Sequence, residues 1–128
     1  MSQYMLLLYA TEVEGEELTE RESEIPTIWS ELNRSLEEAG LLVAAGRLHP
    51  TAAATTVSAI SGETELTDGP FAITKEALAG YYLIEAGNLD QALGVAKRIP
   101  LTRYGRVEVR PVASDPVPVV PSWAGPVE

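Results

Sequence analysis

A chain of 128 residues, 45% hydrophobic and 22% charged, has the size and composition of one globular domain that can bury a core without disulfide or metal. It contains no cysteine, which removes disulfides, thiolate metal sites and cysteine nucleophiles together. A formal net charge of −10 repels phosphate backbones and anionic lipid, so neither nucleic acid nor a membrane surface is an expected partner.

The start of the chain, Met1 to Tyr4 and then the apolar run Met5 to Leu8, lacks the basic region and long apolar core of a secretory signal. No apolar stretch approaches the ~20 residues of a membrane span, so the expected location is the cytoplasm. Gln3 to Tyr9 reads as a strand apolar on both faces. Seven of the nineteen acids then fall between Glu12 and Glu24 against one base, Arg21, and this stretch reads as a solvated loop and first helical turn. Thr19-Glu20-Arg21-Glu22 has the pattern of a capping box, and Pro26 suits a second helix start or a kink. Ile25, Ile28, Trp29, Leu32 and Leu36 recur at helical spacing, and Gly40 ends the helix as a left-handed cap.

Leu41 to Leu48 is a second strand, closed by His49-Pro50. Thr55 to Ile60 and Thr64 to Thr67 form the arms of a hairpin about Ser61-Gly62. Asp68-Gly69-Pro70 is a strong turn signal, and Thr74 to Leu78 suits a short helical turn. Tyr81 to Ala86 is the next strand. Asn88 with Gln91 caps a helix whose buried face is Leu89, Ala92, Leu93 and Ala96, and Pro100 ends it. Val107, Val109 and Val112 alternate with charged residues in a last, half-exposed strand. A Pro-rich tail over 113–128, holding Trp123, follows the domain at 1–112 and reads as extended, with the tryptophan as an anchor.

The order β-α-β, hairpin, β-α-β predicts an α+β, ferredoxin-like antiparallel sheet with two helices on one face. Its two central strands carry apolar side chains on both faces, and two helices can cover only one. The uncovered face predicts a homodimer that stacks sheet on sheet as a dimeric α/β barrel.

The residues able to carry chemistry are few. Asp68 is explained by its turn, where it can accept backbone N–H bonds; a carboxylate at a pocket rim is the functional alternative. Phe71, the only phenylalanine, reads as the anchor of that loop. Lys75 can pair with Asp68 or hold an anion. Arg47 and His49 lie two apart on a strand and share a face. With Tyr9, Tyr81 and Arg103 they make a candidate polar pocket among aliphatics. Metal binding has no support: there is one His, no Cys, and no spaced ligand pattern. No cofactor motif is present, neither a Gly-rich phosphate loop after a strand nor G-x-S-x-G.

The chain resembles the YCII-related family, and its DGPF subgroup in particular. The resemblance rests on Tyr4-Met5-Leu6-Leu7-Leu8-Tyr9, Ala44-Ala45-Gly46-Arg47-Leu48-His49-Pro50, Thr67-Asp68-Gly69-Pro70-Phe71, Thr74-Lys75-Glu76, Gly80-Tyr81-Tyr82-Leu83-Ile84 and Val107-Glu108-Val109-Arg110-Pro111. It implies a dimeric ferredoxin-like fold. Some members of the family are enzymes with a pocket His and Asp as catalytic dyad, a dehydrochlorinase among them, while the DGPF subgroup is often associated with extracytoplasmic-function sigma factors. The family histidine belongs to the first helix region, and between Thr19 and Gly40 this chain has none. Acid–base work then falls to Asp68, His49, Glu76 or a tyrosine. Two functions stay open: a dimeric domain that binds or processes a small organic molecule, and a non-catalytic regulatory or interaction module associated with an extracytoplasmic-function sigma factor.

Overall fold

The computed structural model describes residues 1–113. The tail beyond Ala113, including Trp123, lies outside the described residues. Six strands and three helices follow one another as β1 (Ser2–Ala10), α1 (Gly15–Ser23), α2 (Ser30–Glu38), β2 (Leu42–Arg47), β3 (Thr55–Ser58), β4 (Glu65–Asp68), β5 (Ala77–Ala86), α3 (Leu89–Arg98) and β6 (Gly105–Pro111). Four strands make an antiparallel sheet in the order β2-β5-β1-β6, and β3 and β4 form a separate two-stranded ribbon. This is an α+β protein with its helices against one sheet face.

Alternation along β1 and β5 divides their side chains between two environments. Tyr4, Leu6, Leu8 and Ala10 of β1 face the helices with Tyr82, Ile84 and Ala86 of β5, and all are buried. Leu32 and Leu36 of α2, Ala92, Val95 and Ala96 of α3, and Ile99 and Leu101 beyond it complete the core. Met5, Leu7, Tyr9, Tyr81 and Leu83 point the other way and are half-buried by their sheet neighbours alone.

Several elements differ from their sequence reading. The acidic stretch is a loop only up to Glu14, and from Gly15 to Ser23 it is a full helix rather than a first turn. Glu16 and Glu17 sit in its first turn, where the helix dipole favours anions, and Arg21 sits in its last turn, 3.4 Å from Glu17. Thr19 is therefore inside α1, where its hydroxyl donates to the Gly15 carbonyl at 3.1 Å, rather than capping a start. Pro26 does not begin a second helix. Residues Ile25–Trp29 form one π-helical turn that joins α1 to α2, with Trp29 N–H donating to the Glu24 carbonyl at 3.2 Å. A proline removes an N–H and crowds the preceding turn, and widening the helix by one residue relieves both.

Gly40 adopts φ +72° and closes α2 as expected, and Asn88 caps α3 by accepting from the Gln91 N–H at 2.9 Å. The face of α3 is rotated from the expected one: Val95 is buried, while Leu89 and Leu93 reach the surface. Residues Thr74–Glu76 form no helical turn, and β5 begins at Ala77, four residues earlier than the aromatic pair implied.

Candidate functional site

A cavity of about 390 Å³ opens on the helix side of the sheet, where β1 and β2 end and β5 begins. Leu8 and Ala10 of β1, Leu18 of α1, and Ile25 and Trp29 of the π turn supply apolar walls. The π turn has a direct consequence here. By adding one residue it keeps Leu18, Arg21, Glu22, Ile25, Trp29 and Asn33 along one side of a bent helical path, and all six line the cavity. On the opposite wall the β1–β5 pairing slips between Leu8 and Tyr9, which sets Ala79 out of register. Such a bulge bends the strand and widens the space beside it.

The polar groups are graded from floor to mouth. At the floor, Tyr82 is buried among Trp29 and the sheet, its ring 6.5 Å from the Trp29 ring and inclined 23° to it. Its hydroxyl donates to Asn33 Oδ1. Burial pushes the Tyr82 phenol from 10.0 up to about 12, so at neutral pH it is a proton holder and not a base. The Asn33 amide N–H groups have no protein acceptor among the described residues and lie on the cavity wall. Midway, the Arg21 guanidinium lies 4.1 Å over the Tyr104 ring and donates to the Thr11 carbonyl at 2.9 Å. Tyr104 is also raised, first by burial and then by the charge of Glu24, with Arg21, Arg103 and Arg47 opposing. At the mouth stand Arg47, 3.4 Å from Glu22, and His49, both exposed. Glu12 is spent structurally: its carboxylate accepts from Thr51 N–H at 2.7 Å and from the Thr51 hydroxyl at 3.0 Å, pinning the β2–β3 connection to the end of β1.

Of the residues singled out in the sequence, the cavity brings together Arg47 and His49. Tyr9 and Tyr81 project from the other sheet face. Arg103 lies outside the cavity, ion-paired at 2.5 Å with the buried Oε2 of Glu24, which accepts no well-aligned hydrogen bond among the described residues. Asp68 ends β4 and is exposed, as is Lys75 in the following loop. The Phe71 ring is 91% exposed and anchors nothing within the chain, because the β3–β4 ribbon carries its loop away from the sheet. Tyr82, Asn33, Trp29, Arg21 and Tyr104 were missed. Tyr82 and Trp29 look like ordinary core in the sequence, but Asn33 left a signal: it is a polar residue one turn after Trp29, inside an apolar stripe.

Among the described residues, no group of three or more His, Cys, Asp or Glu side chains could hold a metal, and no helix is long and apolar enough to cross a membrane. Chemically, the arrangement offers an apolar chamber, an amide donor at its floor, and a guanidinium and an imidazole at its rim. Ligand pockets of this kind span about 300–1,000 Å³ with few, convergent polar groups.

Two comparisons bear on this site. An uncharacterised protein of Rhizobium meliloti (strain 1021) is 48% identical over 88 residues, which cover 66% of this chain and 69% of the relative. The profile of the YCII-related domain matches residues 2–114, a span that contains the sheet, the cavity and the ribbon, and the chain belongs to the YCII-related family.

Proposed function

We propose that the chain is a ligand-binding domain whose cavity takes a small, mainly apolar organic molecule bearing a carboxylate or a similar acceptor. The observation that carries this reading is the graded cavity itself. Its walls are apolar, the Asn33 amide offers unspent donors at the floor, and Arg47 and His49 supply donors at the mouth. His49, the only histidine, is the group best placed to exchange a proton with such a ligand. The same reading makes the protein a homodimer of ferredoxin-like subunits of DGPF type. The strand order β2-β5-β1-β6, the Asp68-Gly69-Pro70-Phe71 run and the uncovered stripe of Met5, Leu7 and Leu83 support it.

A thermal-shift panel of small organic acids and their neutral amide isosteres tests the ligand class. Acids should stabilise the protein more than their isosteres. Arg47→Ala or His49→Ala should weaken the best acid by about tenfold, as expected for a lost charge-assisted hydrogen bond. Asn33→Leu should abolish its binding, and Asp68→Ala should leave it unchanged. Equal binding of acid and amide removes the anion assignment, and loss of binding in Asp68→Ala moves the site away from the cavity. The second reading, a non-catalytic module docking on a sigma factor, is favoured by one observation, the exposed loop around Phe71. A panel with no ligand at all would shift the weight to it.

A further inference from the structure

The β3–β4 ribbon carries exposed acids and apolar side chains, and the β6 edge of the sheet carries Arg106 and Arg110, which pair with Glu76 and Glu108 yet leave both guanidinium side chains largely exposed. The ribbon is built from two four-residue strands, forms a sheet of its own, and contributes nothing to the buried core. Two-stranded ribbons of this size are marginal in water unless a further surface supports them. Val57 and Leu66 are directly opposed on one ribbon face, and both are exposed. Ile60 at the tip and Ile73 after Phe71 are 97% and 96% exposed. A cluster of this kind marks an interaction surface.

Charge is equally divided against itself. Five of the nine bases (Lys97, Arg98, Arg103, Arg106 and Arg110) fall in the last part of the domain, where Glu108 is the one acid between them. The stretch 55–68 holds Glu63, Glu65 and Asp68 and no base. Among the described residues none of these three acids forms an ion pair. Among the described residues, an ion pair at the root of the ribbon's loop links the two regions, with Glu76 3.2 Å from Arg106. The ribbon leaves from β2, at one edge of the sheet, and the basic strand β6 is the other edge.

We infer that the β3–β4 ribbon of each copy is an arm that docks on a second copy of this chain, Asp68 of its strand β4 against the partner's β6. Arg106, Glu108 and Arg110 share the open face with Met5, Leu7 and Tyr9, as the β1–β6 register fixes. An arm lying there sets Asp68 against Arg106 and Arg110 and its Val57–Leu66 face against the Met5–Leu7–Leu83 stripe, with Glu65 on the far side of the ribbon. Asp68 shares the Val57–Leu66 side of the ribbon, so it arrives with the apolar contact. A two-fold axis repeats the contact with the roles exchanged, which one chain cannot do for itself. This inference rests on the homodimer proposed above and names the element that clasps it.

Sedimentation equilibrium on the full chain tests it. Asp68→Lys should raise the dimer dissociation constant by about fivefold, because one charge contact is reversed twice by symmetry, whereas Glu65→Lys, on the other face of the ribbon, should leave it within about twofold. Arg106→Glu with Arg110→Glu should also raise it, and these two changes combined with Asp68→Lys should return it to within about threefold of wild type. Far-UV circular dichroism and the unfolding midpoint confirm that these surface variants keep the fold. A wild-type chain that stays monomeric overturns both the dimer and the arm. A dimer whose constant no reversal changes keeps the dimer and overturns the arm. That second result, together with faster proteolysis of the ribbon on deletion of 114–128, identifies the chain's own tail as the occupant instead.

Discussion

Leu6 and Leu7 are adjacent on β1, yet they belong to different faces of the sheet and have different partners. Leu6 is fully buried among α2, α3 and the opposite strand, whereas Leu7 has only its sheet neighbours. The same holds for Tyr82, which closes the floor of the cavity, and Tyr81, which lies over Gly46 on the open face. The helix-covered face is a finished interior, with the Tyr82 hydroxyl satisfied by Asn33. The open face is apolar in its centre, charged along β6, and unfinished. Fold stability therefore resides on the first face, and association is expected on the second.

Substitution of the two leucines measures that difference most directly. Leu6→Ala should cost about 2–5 kcal/mol in chemical denaturation, as removal of a fully buried leucine does where surroundings cannot collapse. Leu7→Ala should cost about 1 kcal/mol in the dilute protomer, since its side chain is only partly buried. In a homodimer the cost of Leu7→Ala should grow with protein concentration, while that of Leu6→Ala should not. Equal costs at every concentration would erase the distinction between the faces.

The second test uses the burial of Tyr82. Its folded-state pKa is raised from 10.0 to about 12, so folding favours the protonated phenol. The stability this contributes is complete below pH 10 and is lost as the pH rises toward 12, when the unfolded chain ionises and the folded one resists. Two pKa units correspond to about 2–3 kcal/mol. Burial also raises Tyr104, which adds a loss of the same sign. Unfolding free energy measured from pH 9 to 12 should fall steeply in wild type and by about 2 kcal/mol less in Tyr82→Phe. An identical slope in the variant would mean that the floor of the cavity is open to hydroxide, and so to solvent.

How much of this was legible beforehand follows the same division. The strands apolar on both sides announced the central pair, and from them the need for two different coverings. Gly40, Asn88 and Pro100 marked helix ends because each acts through its own backbone chemistry. Helix α1 was hidden because it buries no residue, so it leaves no periodic stripe and its acids look like a loop. The π turn was hidden because Pro26 reads as a break, while the structure absorbs it by widening the helix. In the site, Arg47 and His49 could be paired by strand spacing. Asn33 and Tyr82 could not, because their meeting across 49 residues depends on how α2 crosses β5. The left-handed Gly69, at φ +97°, was readable from Asp68-Gly69-Pro70, but the Asp68 carboxylate accepts no backbone N–H among the described residues, and the Gly69 N–H donates to the Ala54 carbonyl instead. The distance of this turn from the cavity was not readable, since nothing local says that a hairpin will leave the sheet.

Two glycines give the finest comparison. A Cβ on Gly80 would lie 2.7 Å from the Gly46 carbonyl oxygen, and a Cβ on Gly46 would lie 2.6 Å from a ring carbon of Tyr81. The distances are nearly equal, but what stands at the far end differs. The Gly46 carbonyl belongs to the β2–β5 ladder and can move only if the strands part, so Gly80→Ala should cost about 1–3 kcal/mol, the range for an overpacked interior. The Tyr81 ring is the free end of a side chain on the open face and can swing outward, so Gly46→Ala should cost the dilute protomer under about 1 kcal/mol. Displacing that ring disturbs the surface assigned to the second copy. The dimer dissociation constant should therefore rise in Gly46→Ala even where the unfolding midpoint of the protomer barely moves. If Gly46→Ala instead destabilises the protomer as much as Gly80→Ala does, Tyr81 is held as rigidly as the core, and the open face is finished without a partner.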